Sequence, residues 1–236
     1  MGAGHPPLAI VKGWFARWRE RRRGPALPPP SKLVVGLGNP GSEYVDTRHN
    51  VGFRVLEHWS ARAGWSAEET RFRSRYGAGW IQPPVDEGDS SAPLCAAALL
   101  PQTYMNRSGE AVVLALEALD IEDVSRDVLL VYDDVDLPLG RLRLRPRGGA
   151  GGHRGLVDIF DRLGRSDLPR LRFGVGRPPE GISTADHVLG SFTQPESAQL
   201  GHRLDVAAEA LDVALHQGVT AAMNRFNREH KADEVA

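Results

Sequence analysis

The chain contains a single cysteine, Cys95, in 236 residues. It cannot form an internal disulfide, which fits a reducing compartment. No apolar run approaches the ~20 residues of a membrane span, and no apolar signal core with a small-residue cleavage site is present. Internal repeats are missing. So is a G-x-S-x-G elbow that would present a serine nucleophile. The eight histidines show no metal-ligand spacing, so neither a metal nor a cofactor is expected. The net charge is only −1, so a polyanionic partner would have to meet a local patch rather than the overall field.

What is present is ordinary for a soluble globular chain: 41% apolar and 25% charged residues, at a length that suits one sizeable domain. Charge is uneven. Lys12, Arg17, Arg19, Arg21, Arg22 and Arg23 stand against Glu20 in the first 31 residues, leaving the remainder net acidic. This segment ends in "GPALPPPS", a linker composition that stops any preceding helix. Residues 1–31 are therefore expected to be a flexible basic extension, and 32–236 the folded domain. "LAIVKGWFARWRERRR" fits a dispensable tail, an accessory contact to nucleic acid or a membrane surface, or an organelle transit peptide. Glu20 and the scarcity of serine weaken the last.

Strands and helices alternate along the domain. Lys32–Leu37 predicts a buried strand. A helix is expected over Asn50–Gly64, with Phe53, Leu56, Trp59 and Ala63 on one face. Phe72–Ile81 and Leu94–Leu100 read as a hairpin with a long polar tip. Gly109–Leu119 and Leu156–Leu163 read as helices; Val128–Tyr132, Arg141–Arg145 and Leu171–Val175 as strands. Thr193 to Glu196 is a capping box with Pro195 in the first turn, opening a long helix toward Gly218. The fold class expected is α/β, a single-domain three-layer sandwich whose mixed, mostly parallel twisted sheet is flanked by helices.

Gly36, Gly38 and Gly41 satisfy G-x-G-x-x-G after the first strand. The context rejects a dinucleotide loop: Pro40 removes an N–H beside the third glycine, and "SEYVDTRHN" carries no helical period. Glu57, near the spacing of a ribose-binding acid, falls within a helix. The same stretch instead supplies Asn39, His49 and Asn50 after a first strand, where α/β sheets place their sites. Asn106, near Tyr104 and Met105, both expected to be exposed, follows another strand end and precedes a helix. Asp133, Asp134 and Asp136 close a third; the last two read as turn residues. A carboxylate emerging from a buried strand needs a partner. If the strand ends adjoin, Asp133 can hold the His49 imidazole and fix its tautomer. A His–Asp pair with amide donors suits water activation and hydrolysis of an acyl compound.

Six ordered motifs, "VVGLGNPG..Y..TRHNVG", "LLPQTYMNRSGEAV", "VYDDVDLPLGRLRLR", "GGAGGHRGL", "RLRFGVGRP" and "HVLGSFT", resemble those of bacterial peptidyl-tRNA hydrolases over about Lys32 to Phe226. The resemblance implies cleavage of the ester between a peptide and the 3′ ribose of tRNA by a cytoplasmic monomer, with organelle targeting by the extension left open. It implies that His49 is the general base, Asp133 its anchor, Asn106 the oxyanion donor and Asn39 a substrate-binding amide. Tyr44, Tyr104 and Met105 would line the cleft, with His153 near the nucleotide terminus. One position departs from the family: its glycine-rich loop usually reads G-H-N-G, and here Arg154 replaces the asparagine. Arg154 cannot accept a hydrogen bond; it either bears on His49 electrostatically or contacts a phosphate. Arg141, Arg143 and Arg145 share a strand face, with Arg147, Arg170, Arg172 and Arg177 nearby, a plausible phosphate footprint. By the resemblance Arg145 and Arg172 grip the acceptor stem. The alternative is an inactive RNA-binding relative of the organellar splicing-factor type.

Overall fold

A computed structural model describes residues 27–84 and 91–228. The basic extension expected over 1–31 thus lies outside the described residues up to position 26. Within 27–31, Pro28 accepts a bond from the Cys95 thiol (3.3 Å) and Ser31 donates to the Cys95 carbonyl (2.9 Å).

Seven strands form one sheet: β1 (Lys32–Gly36), β2 (Glu69–Arg71), β3 (Ser74–Ile81), β4 (Leu94–Pro101), β5 (Val128–Asp134), β6 (Leu142–Arg145) and β7 (Arg170–Gly174). Their order is β2-β3-β4-β1-β5-β7-β6. The central four, β4, β1, β5 and β7, are mutually parallel, while β3 and β6 pair antiparallel with their neighbours. The helices are α1 (Val51–Arg62), α2 (Ser108–Leu119), α3 (Val124–Asp127), α4 (Arg154–Leu163), α5 (Thr184–Leu189), α6 (Gln194–Gln217) and α7 (Val219–Phe226).

Alternation along the strands divides the core in two. Val34, Ala96, Ala98, Leu129, Val131 and Phe173 face α1, α6 and α7. Leu33, Val35, Ala97, Leu99, Leu130 and Tyr132 face α2 and α4. This is the expected three-layer arrangement, and being covered on both faces makes β1, β4 and β5 near-continuous apolar runs. The capping box at Thr193 is present, with Glu196 receiving the Thr193 N–H at 2.6 Å.

The departures from expectation have local causes. Strand β5 continues two residues past Tyr132, because Asp133 and Asp134 both find partners that remove the penalty for burying them. Residues 72 and 73 form a turn rather than a strand start, with φ of 53° and 54°. That turn carries no Gly or Asn signature and was invisible for that reason. The short helices α3, α5 and α7 were not anticipated.

Two glycines flanking the first loop, Gly36 at the end of β1 and Gly52 at the start of α1, serve close approach of the helix to the sheet. A Cβ on Gly52 would stand 2.5 Å from the Leu37 carbonyl oxygen and 2.6 Å from that of Val131. A Cβ on Gly36 would stand 2.5 Å from the Gly52 carbonyl oxygen. The first turn of α1 therefore sits directly on the ends of β1 and β5, which brings the residues just before it to the end of β5. Gly52→Ala is expected to destabilise the fold by roughly 1–3 kcal/mol through overpacking. This should be read as a fall in Tm of about 2–4 °C for each kcal/mol; an unchanged Tm would contradict the close approach.

Candidate active site

At the carboxyl ends of the central strands lies a cleft of about 910 Å³, lined by Asn39, Tyr44, His49, Arg145 and the 148–154 loop among others. His49 sits in a single 3₁₀ turn, Arg48–Asn50, immediately before α1. Its Nδ1 lies 2.7 Å from Asp133 Oδ1. Asp133 is 5% exposed. A carboxylate only accepts, so His49 carries its proton on Nδ1 and keeps a lone pair on Nε2.

A second imidazole shares that oxygen. His153 Nε2 stands 3.2 Å from Asp133 Oδ1, while its Nδ1 receives the Leu156 N–H at 3.4 Å. The two contacts assign the His153 proton to Nε2. The His153 ring packs edge-on to Tyr132 with centroids 4.9 Å apart, and lies 5.1 Å from His49. Burial is the largest influence on Asp133 and opposes its ionisation. The positive charge that His49 carries once protonated and the hydrogen bonds from both imidazoles outweigh it, holding the carboxyl well below its usual range.

The first loop is clasped at its base. Asn39 N–H donates to Asn50 Oδ1 (2.8 Å), and Asn50 Nδ2 returns a bond to the Asn39 carbonyl (2.9 Å). Asn39 Oδ1 accepts the Met105 N–H at 2.8 Å. Its carbonyl oxygen is thus engaged and its NH₂ remains to donate into the cleft. Asn106 lies exposed in the 3₁₀ turn Met105–Arg107, and its amide has no protein partner among the described residues. Tyr104 is also exposed, at 59%. Met105 is not: at 4% exposure it floors the cleft beneath Gly155, a correction to the expectation that it stands exposed beside Tyr104.

The arginines divide. Arg143, Arg145, Arg170 and Arg172 do share one face, since Arg143 pairs across from Arg172 and Arg145 from Arg170. Arg170, however, is 2% exposed and donates to the carbonyls of Leu168, Gly149 and Ser166. It anchors the glycine-rich loop and does not face a phosphate. Arg141 is likewise spent on the carbonyls of Asn227 and Arg228. Arg172 is paired with Asp134, whose other oxygen accepts the Asp136 N–H. Asp134 is therefore a buried strand residue that aims Arg172, not the turn residue expected. Arg145, Arg147 and Arg154 line the cleft outside any ion pair among the described residues, although the charge of Arg147 reaches Asp167. Arg143 is exposed but lies outside the cleft wall.

Two features escaped sequence reasoning. His49, Asp133 and His153 form a set of metal-ligating side chains that their spacing along the chain did not suggest. Arg48, 7% exposed, forks onto the Ser191 carbonyl (2.7 Å), the Gly190 carbonyl (3.2 Å) and Glu196 Oε2 (2.7 Å). It ties the His49 turn to the segment following α5, and α5 supplies Thr184, Ala185, Val188 and Leu189 to the cleft wall. The signal was its place in "TRHN", beside the histidine.

The family model for peptidyl-tRNA hydrolase matches residues 33–234. A peptidyl-tRNA hydrolase of Synechococcus sp. (strain JA-3-3Ab) is 47% identical over 197 residues, covering 83% of this chain and 82% of the relative. Another, of Chloroflexus aggregans, is 45% identical over 195 residues, covering 83% and 98%. The crystal structure of peptidyl-tRNA hydrolase from Acinetobacter baumannii superposes with a TM-score of 0.72 at 35% identity, covering 86% of this chain and 97% of that one.

Because its folded pKa is lowered, Asp133 contributes stability that is in place above the unfolded carboxyl value of about 3.9 and is lost as pH falls toward the folded value. Denaturant midpoints of Asp133→Asn should fall less steeply than wild type below about pH 4. Parallel curves would show that the carboxylate is not held ionised by its partners.

Proposed function

The chain belongs to the peptidyl-tRNA hydrolase family, and from this premise we propose how its residues hydrolyse the ester joining a peptide to the 3′ end of tRNA. The observation that carries the reading is the 2.7 Å contact between His49 Nδ1 and Asp133 Oδ1, which leaves Nε2 as the only basic position of that ring.

Nε2 takes a proton from a water molecule in the cleft as the water oxygen attacks the ester carbonyl. The imidazolium formed is stabilised by the ionised, buried Asp133. The unclaimed Asn106 amide donates to the tetrahedral oxyanion, a contribution of about 3–4 kcal/mol where such a donor is well aimed. On collapse the ester carbon–oxygen bond breaks, His49 returns its proton to the departing 3′ oxygen, and free peptide and tRNA leave. Asn39, its oxygen engaged by Met105, presents its NH₂ to the substrate near the scissile bond. Tyr44, Tyr104 and Met105 bound the cleft, and His153 shares Asp133 Oδ1 with His49, next to the terminal nucleotide.

The tRNA lies along the basic rim. Arg145 meets backbone phosphate as a free cation, and Arg172 does so from a position set by Asp134. Arg143 adds charge outside the cleft. Arg154 takes the phosphate role, since a guanidinium cannot accept from water as an amide can. Contacts of this type read shape and charge rather than sequence, which suits an enzyme that must accept many tRNAs. Its work is recycling tRNA from prematurely released peptidyl-tRNA, and we place it in the cytoplasm as a monomer. The comparisons lend no support to an inactive splicing-factor role, and an RNA clamp has no use for the His49–Asp133 pair.

Two substitutions separate chemistry from binding. His49→Ala should lower turnover by roughly 10²–10⁴ and leave the Kd for tRNA near wild type. Arg145→Ala should weaken tRNA binding and reduce the slope of log K against log salt by about 1, with turnover at saturation preserved. Wild-type cleavage of N-blocked aminoacyl-tRNA by the first variant, or an unchanged slope in the second, would contradict the assignments.

A further inference from the structure

The cluster that carries the acid–base chemistry also has the composition of a metal site. We propose that His49, Asp133 and His153 bind a divalent transition cation, zinc above all, as an inhibitory ligand of the enzyme. The existence of the site rests on geometry; the inhibition rests on the reading of His49 as the base.

The candidate ligand atoms, one from each side chain, lie within 4.8 Å of one another. Asp133 Oδ1 is 2.7 Å from His49 Nδ1 and 3.2 Å from His153 Nε2. Zinc bonds of about 2.0–2.2 Å to nitrogen and oxygen imply tetrahedral edges of roughly 3.3 Å. The 2.7 and 3.2 Å separations are within about 0.6 Å of that edge, and the two ring nitrogens, within 4.8 Å of one another, have to close by at most about 1.5 Å. Two imidazoles, one carboxylate and a remaining open position match zinc sites that keep a place for water, and imidazole donors favour zinc or copper over magnesium or calcium. All three side chains line the cleft, which gives the cation its entry. Among the described residues no other set of three such side chains lies together.

Occupancy would alter the chemistry in a defined way. At rest, both ring nitrogens facing Asp133 carry hydrogens, whereas a cation there needs their lone pairs. The His49 proton must move from Nδ1 to Nε2, with no net proton gained or lost. Nε2 then becomes an N–H donor and cannot deprotonate water. The His153 proton moves to Nδ1, giving up its hydrogen bond to Asp133 and the 3.4 Å contact by which Nδ1 caps the Leu156 N–H. The cation would silence the base while leaving the Asn39 and Asn106 amides in place.

The test uses the full chain, with Co²⁺ as the spectroscopic probe and Zn²⁺ titrated against a chelating indicator. Wild type is compared with Asp133→Asn, His153→Ala and the surface control His202→Ala, each checked for folding by circular dichroism. Wild type and His202→Ala should show one Co²⁺ with the intense visible bands of tetrahedral coordination. Zn²⁺ affinity should fall by more than about 100-fold in the other two variants, beyond the effect of losing an outer-shell partner. Zn²⁺ should inhibit wild-type turnover with the measured Kd, reversibly by chelator. Absence of the tetrahedral Co²⁺ spectrum in wild type, or Zn²⁺ affinity indifferent to both ligand variants, overturns the site. Zinc bound there with turnover undiminished would keep the site but overturn the inhibition, and with it the assignment of His49 as base.

Discussion

A carboxylate buried at the end of a central strand organises this molecule. Asp133 leaves water at the tip of β5, and in such a place an unpartnered charge would cost several kcal/mol. Two imidazoles meet it, and each arrives on a loop that other residues must hold. The His49 turn is placed by the contact of Gly52 with the sheet, by the Asn39–Asn50 clasp, and by the Arg48 fork onto the far wall. The His153 loop is placed by Arg170, whose buried guanidinium grips the Gly149 carbonyl. The supports converge on one oxygen atom.

The arginines show how a net-acidic chain can still offer a basic rim. Arg48, Arg141 and Arg170 are used as multidentate donors to backbone carbonyls, work for which the planar, permanently charged guanidinium is suited. Arg172 is half committed, held by Asp134 at the edge of the cleft. Arg145, Arg147 and Arg154 form no ion pair among the described residues and give the cleft its charge. Arginine type alone did not separate these groups, because phosphate and carbonyl draw on the same N–H donors. Burial separates them, and burial depends on the tertiary fold.

The order of strands and long helices was readable because each carried its own period: apolar runs in β1, β4 and β5, the amphipathic face of α1, the Thr193–Glu196 cap of α6. The His49–Asp133 pairing was also within reach, since both residues follow buried strands at ends that an α/β sheet gathers together. The short helix α5 was not, because six residues hold too little period to register, yet it forms a cleft wall. Asp134 was misjudged because an aspartate after a strand is usually a turn residue, and its partner Arg172 is 38 positions away. His153 was expected near the nucleotide terminus. Its sharing of Asp133 depends on a loop path that glycines permit but do not specify.

The mechanism depends most on the His49 tautomer, which can be observed directly. Long-range ¹H–¹⁵N correlation spectra of selectively labelled protein report which ring nitrogen of neutral His49 bears hydrogen. Wild type should show the Nδ1–H form, changing to a mixture or to the Nε2–H form in Asp133→Asn. A wild-type His49 with its proton on Nε2 would mean that the nitrogen facing the cleft has no lone pair for water, and the proposed mechanism would fail.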